Sequence, residues 1–103
     1  MFLSMTIPVR LHDDSHPITL TIKLPDSLPL RPSQESEMHE RLQNELEKLD
    51  NVGRVSHLRS NKYLIELKDG SAVDATLEGV KSTIQKVVND AFADTIEISF
   101  SRQ

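Results

Sequence analysis

Between residues 4 and 24 apolar and polar side chains alternate twice, with a break of turn-forming residues between the two runs. Met5, Ile7, Val9 and Leu11 fall on one side of the first run, and Ser4, Thr6, Pro8 and Arg10 on the other. After His12-Asp13-Asp14-Ser15-His16-Pro17, Ile18, Leu20, Ile22 and Leu24 resume the pattern against Thr19, Thr21 and Lys23. Period two is the mark of half-buried strands. The chain therefore opens a sheet with one apolar face, which later segments must cover. The two runs can pair as a hairpin through a loop of about four or five residues. Pro8 has no N–H for a ladder, which predicts an edge position or an irregular strand for residues 4–11.

Pro25, Pro29 and Pro32 then hold an extended connection. Ser33 reads as a helix N-cap, with Glu35 and Glu37 in the first turn where the helix dipole favours carboxylates. Met38, Leu42, Leu46 and Leu49 make the apolar stripe of a helix over 33–50, with Lys48 and Gly53 as stop signals. Residues 54–60 form a weaker strand, because Val55 and Leu58 face opposite ways unless a bulge intervenes. After the turn Ser60-Asn61-Lys62, Tyr63, Ile65 and Leu67 alternate inward up to Asp69-Gly70. Ser71-Ala72-Val73-Asp74 has capping-box spacing. Val73, Leu77, Val80, Ile84, Val87 and Ala91 succeed it with helical period, and Ile96, Ile98 and Phe100 mark a last strand.

Without its first strand, this order is β-α-β-β-α-β. The fold class is α+β, and the pattern is that of a ferredoxin-like plait with an additional N-terminal strand, two helices covering one face of the sheet. The opening hairpin followed by a long helix makes a β-grasp-like start, with an appended helix and strand, the alternative. At 103 residues the chain is a single domain. With three Phe, one Tyr and no Trp its core is mostly aliphatic.

There is no cysteine, which excludes disulfides, thiolate metal sites, paired-cysteine metal carriage and cysteine nucleophiles. A cytoplasmic location is expected, since that absence suits a reducing compartment. Met1-Phe2-Leu3-Ser4-Met5 lacks the basic start of a secretory signal, and no apolar run has the length of a membrane span. The glycines stand too far apart for a phosphate-cradling loop, no cofactor motif is present, and no nucleophile elbow frames a Ser, His and Asp. On the sheet face away from the helices, Thr19, Thr21, Lys23, Glu66, Lys68, Glu97 and Ser99 supply no rings for base stacking, which argues against an RNA-recognition sheet.

The net charge of −4 is unevenly placed. Residues 33–50 carry six acids against Arg41 and Lys48, whereas Arg54, Arg59, Lys62 and Lys68 stand against Glu66 alone in 54–68. The first reading is a small acidic non-enzymatic interaction module: a regulator, inhibitor or assembly subunit acting through protein contacts. Its binding candidates are Glu37, Glu40, Glu45 and Glu47, with homodimerisation through an unfilled sheet edge near Pro8. The alternative is a metal-dependent nucleic-acid-binding or nuclease protein. Asp26, after the second strand, would bind magnesium there, two copies would share a site for phosphodiester cleavage, and the basic 54–68 hairpin would meet phosphates. This placement of Asp26 is similar to that in the CRISPR-adaptation nuclease family and its ribonuclease-like relatives, which share the plait. His12, Asp13, Asp14 and His16 are of the types that bind zinc, yet they sit in a hairpin loop and match no strong zinc spacing. His57, beside Ser56, reads as a plain strand histidine.

Overall fold

The computed structural model describes residues 3–25, 28–59, 61–92 and 95–102. Five strands and two helices run in the order β1 (Leu3–His12), β2 (Thr19–Lys23), α1 (Pro32–Glu47), β3 (Val52–His57), β4 (Lys62–Leu67), α2 (Val73–Phe92) and β5 (Ile96–Arg102). The strands form one mixed sheet in the spatial order β3-β4-β2-β1-β5. Without β1 this is the order of a ferredoxin-like plait, so the fold is an α+β plait with an inserted strand.

The insertion corrects the expected edge at Pro8. β1 forms an antiparallel hairpin with β2, Val9 opposite Ile22 through His12 opposite Thr19. It also pairs in parallel with β5, Leu3 opposite Ile96 through Val9 opposite Arg102. It is an interior strand whose two ladders are staggered. Pro8 faces Ser101 within the β5 ladder but lies beyond the end of the β2 ladder, so a strand with neighbours on both sides tolerates it.

The apolar sets meet as the two periodicities require. Ile7, Val9, Leu20, Ile22, Tyr63, Ile65, Leu67, Ile96 and Ile98 project from one sheet face and are essentially fully buried. Met38, Leu42 and Leu46 from α1 and Leu77, Val80, Ile84, Val87 and Val88 from α2 pack onto them. Each such aliphatic side chain contributes about 1.5–3 kcal/mol relative to exposure. Arg41 of α1 pairs with Asp90 of α2 at 2.9 Å, an exposed contact that joins the helices above this core.

Three local signals resolve differently from the sequence reading. α1 starts one residue before Ser33: Pro32 takes the first helical position, where its missing N–H is no loss, and the Gln34 side chain accepts from Arg31 N at 3.1 Å. Gly53 does not end α1. It lies at a register shift in β3, which lets Val52 and Val55, three residues apart, both reach the core; Leu58 falls past the strand and is exposed. Before α2, Ser71 lies inside a single 3-10 turn, Gly70–Ala72, and Asp69 caps that turn, its carboxylate accepting from Ser71 N at 2.9 Å and Ser71 Oγ at 2.8 Å. Those bonds hold the Asp69 carboxyl below the usual carboxylate range, the backbone N–H first. Asn51 fastens this corner to the end of α1, bonding both Asp69 N and Asp69 O at 2.8 Å.

Gly79 lies inside α2, where a methyl group would meet the Leu49 side chain at 3.6 Å, an ordinary packing distance. Gly79→Ala is therefore expected to raise stability by about 0.5–1 kcal/mol. Denaturant unfolding would show a higher midpoint at unchanged slope; a lower midpoint would mean that Leu49 cannot accept the methyl group.

Candidate functional site

At one end of the helix-covered face the aliphatic core gives way to three stacked rings. Tyr63 is the first inward residue of β4, and His57 is its cross-strand partner on β3. His39 comes directly after Met38 on α1 and turns toward both. The His57 and Tyr63 rings lie 4.6 Å apart at 10°, and His39 and His57 4.6 Å apart at 19°. Tyr63 is fully buried and His39 nearly so, while His57 keeps an exposed outer side. Tyr63 is the chain's single tyrosine, and its hydroxyl is hydrogen-bonded to His39 Nδ1.

The other ring nitrogen, His39 Nε2, is buried with no hydrogen-bond partner; Glu35 Oε1, one helical turn back, stands 3.7 Å away. A depression of about 510 Å³ opens beside it, lined among others by Glu35, Ser36, Glu40 and Asn61. Burial lowers the His39 pKa from 6.5, and His57 adds to this, while the nearby Glu35 carboxylate pulls the other way. Burial also pushes the Tyr63 phenol up. A neutral His39 can accept from the Tyr63 hydroxyl at Nδ1, which places its ring proton on Nε2, on the side of Glu35. The hydrogen bond lies wholly inside the protein, since Tyr63 is fully buried.

The opposite sheet face carries a second cluster. Lys23 and Lys62 stand directly opposite each other across the β2–β4 ladder, and Arg10 faces Thr21 one row away on the β1–β2 ladder. With Pro8, Thr21 and Ile22 they line a notch of about 330 Å³. The notch opens where the β1–β2 ladder stops at Val9 and Ile22.

The fold disperses the residues singled out from the sequence. Glu37, Glu40 and Glu47 form an exposed stripe on α1 opposite its apolar side; Glu45, half-buried beside them, bonds Lys48 at 3.2 Å. The basic hairpin is divided. Arg54 faces Glu66 across the ladder near Lys68, whereas Arg59 and Lys62 lie at the turn, roughly 13–16 Å away at the rise of a strand. His12 Nε2 lies 3.3 Å from Thr21 Oγ1, Asp13, Asp14 and His16 sit exposed in the hairpin loop, and among the described residues no three His, Asp or Glu side chains gather as a metal site. Asp26 lies outside the described residues. The sequence reading missed the His39–His57–Tyr63 stack. A signal was available, since an inward Tyr needs a partner for its hydroxyl, and Glu35 and His39 have the spacing of one helical turn.

No protein-family model matches the chain, and no curated protein matches it in sequence. Among solved structures, it is similar to the essential ribosomal processing protease Prp from S. aureus, determined in complex with a covalently linked product peptide. The TM-score is 0.41 at 8% identity, over 94% of this chain and 99% of that one, a likeness that carries no inference about chemistry. Among the described residues no helix is long and apolar enough to cross a membrane.

Removing the Tyr63 hydroxyl leaves a buried imidazole nitrogen without its hydrogen-bond partner, so Tyr63→Phe is expected to cost about 1–3 kcal/mol, read by denaturant unfolding. A folded-state pKa below 6.5 for His39 means that the unfolded chain binds the extra proton first. Its contribution is then complete above pH 6.5 and is lost as pH falls from there toward the lowered value. His39→Leu should flatten the pH dependence of Tm across that window, and an unchanged slope would refute the assignment. Asp69 acts separately, its contribution being lost only as pH falls below about 3.8.

Proposed function

We propose that this protein is a non-enzymatic interaction module that works through protein contacts and pairs with a second copy along β5. The observation that carries this reading is the contrast between the two outer strands. β3 is interrupted by its register shift at Gly53 and carries Arg54, features that blunt an edge. β5 has seven residues in unbroken register with β1, contains no proline or bulge, and has no strand on its outer side among the described residues. A regular bare edge is a template for another strand. Antiparallel pairing of two β5 strands about a two-fold axis would join two five-stranded sheets into one. The acidic stripe Glu37, Glu40 and Glu47, with Glu45 beside it, lies on α1 and stays open for a partner of opposite charge. A regulator, an inhibitor and an assembly subunit would all use such surfaces.

Light scattering should give about twice 11.7 kDa at micromolar concentration. Ser99 is exposed near the middle of β5, so Ser99→Lys sets like charges against each other across the two-fold and should return the monomer mass with an unchanged circular dichroism spectrum. The double reversal Glu40→Lys, Glu47→Lys should leave the dimer mass intact. A monomer at all concentrations, or a dimer indifferent to Ser99→Lys, would sink the β5 interface.

A further inference from the structure

The depression between α1 and the β3–β4 turn holds the one imidazole nitrogen that the core leaves unsatisfied among the described residues. His39 is more than nine-tenths buried, yet its Nε2 has no hydrogen bond, and Glu35 Oε1 at 3.7 Å is too far to accept one. A buried polar atom left this way costs stability until something meets it. The rest of the lining is uniform in chemistry. The Gln43 side-chain amide donates to Val55 O at 3.0 Å, and that of Asn61 to Pro25 O at 2.9 Å. Each amide nitrogen is therefore turned to a backbone carbonyl, and each side-chain oxygen is left without a bond among the described residues. Glu40 is exposed and makes no ion pair among the described residues, and Glu35 has only its contact with His39. No lysine or arginine lines the depression. His39 adds no opposing charge near pH 7, since burial lowers its pKa from 6.5.

We infer that this depression receives the guanidinium of an arginine carried by a protein partner, an inference that rests on the protein-contact function for the source of that arginine. A guanidinium is a planar cation with five N–H donors and no acceptor, the complement of a lining whose free atoms are mostly acceptors. Glu35 and Glu40 can each accept a charge-assisted hydrogen bond, and the oxygens of Gln43 and Asn61 can accept others. The Tyr63 hydroxyl can equally accept from His39 Nδ1–H, and Nε2 then offers its lone pair on the side of Glu35. The exposed His57 ring gives a planar group a surface to stack on, which an ammonium would use less well. A compact metal ion fits less well than a wide cation, because among the described residues no three His, Asp or Glu side chains gather to hold one. A volume of about 510 Å³ has the size of a small-ligand pocket and admits a whole side chain.

The probe is arginine capped as its N-acetyl methylamide, titrated at pH 7 and constant ionic strength with amide shifts tracked by nuclear magnetic resonance. The equally capped lysine and neutral citrulline are the comparisons. Saturable shifts at Glu35, Glu40 and His57 are expected, with arginine bound roughly threefold or more above lysine and citrulline not bound. Glu40→Gln should weaken arginine binding roughly tenfold, the loss of one charge-assisted hydrogen bond. Glu40 is exposed, so the variant should fold. Glu78→Gln removes the same charge from an exposed position on α2 outside the depression, and salt screening should hold its effect within about twofold. Uncapped arginine would bring its own carboxylate among these acids and should bind more weakly. Tighter binding of the uncapped form would assign the site to the free amino acid and overturn the protein source. Shifts that never saturate, lysine or citrulline binding equal to arginine, or an equal loss in Glu78→Gln would overturn the site itself. Light scattering on the same samples separates the two readings. A dimer without saturable arginine binding removes this inference alone, and arginine binding by a monomer removes the β5 pairing alone.

Discussion

A strand has two edges, and the arrangement of this molecule depends on how β2 uses both of its own. One side pairs with β1 in a hairpin and the other with β4, so the place beside β2 that a ferredoxin-like plait gives its last strand is already taken. The last strand, β5, is displaced outward and pairs with β1 in parallel. Three further features depend on this single pairing. The sheet gains width beneath α2, its outermost strand is long and regular, and the staggered ladders of β1 leave the notch at Pro8. Fold and candidate surfaces thus share one cause, the hydrogen-bond register fixed at Val9 and Ile22.

The two faces of the sheet solve different problems. Under the helices, period-two strands and helical stripes bury Leu, Ile and Val against one another, and among the described residues the buried polar side chains are Thr76 and His39, the latter bonded to Tyr63 with His57 stacked alongside. That pair stays within the core because its hydroxyl and Nδ1 satisfy each other. The exception, His39 Nε2, looks toward the depression beside Glu35. On the other face charge decides what is placed where: opposite signs meet at Arg54 and Glu66, and like signs at Lys23 and Lys62.

Element types and the inward residues were legible in the sequence because periodicity is set directly by backbone geometry. Which strand lies beside which was less so. Pro8 argued for an edge, since sequence shows a missing donor but not where a ladder stops. The caps lie two residues before the expected Ser33 and Ser71, because Pro32 starts α1 after Arg31 and a 3-10 turn capped by Asp69 precedes α2. The basic hairpin was visible as a charge run, but a run counts neighbours along the chain. The cations that converge, Arg10, Lys23 and Lys62, come from three strands and meet only through register. His39 and Tyr63, likewise, are 24 positions apart and meet only when α1 packs on β4.

The parallel pairing of β1 and β5 also sets an order of events during folding. Thr6 and Ser99, neighbours in that ladder, are 93 positions apart. Bringing such distant segments together costs about 4 kcal/mol of loop-closure entropy from an open chain, well above the cost of the short β1–β2 turn. The local hairpins and α1 can therefore organise early, and β5 docks once α2 has brought it alongside β1. Until then the Leu3–Val9 side of β1 stands open, an edge of a transient species that the completed sheet conceals. The surface most exposed to wrong pairing on the ribosome is thus a different strand from the one left bare in the finished protein.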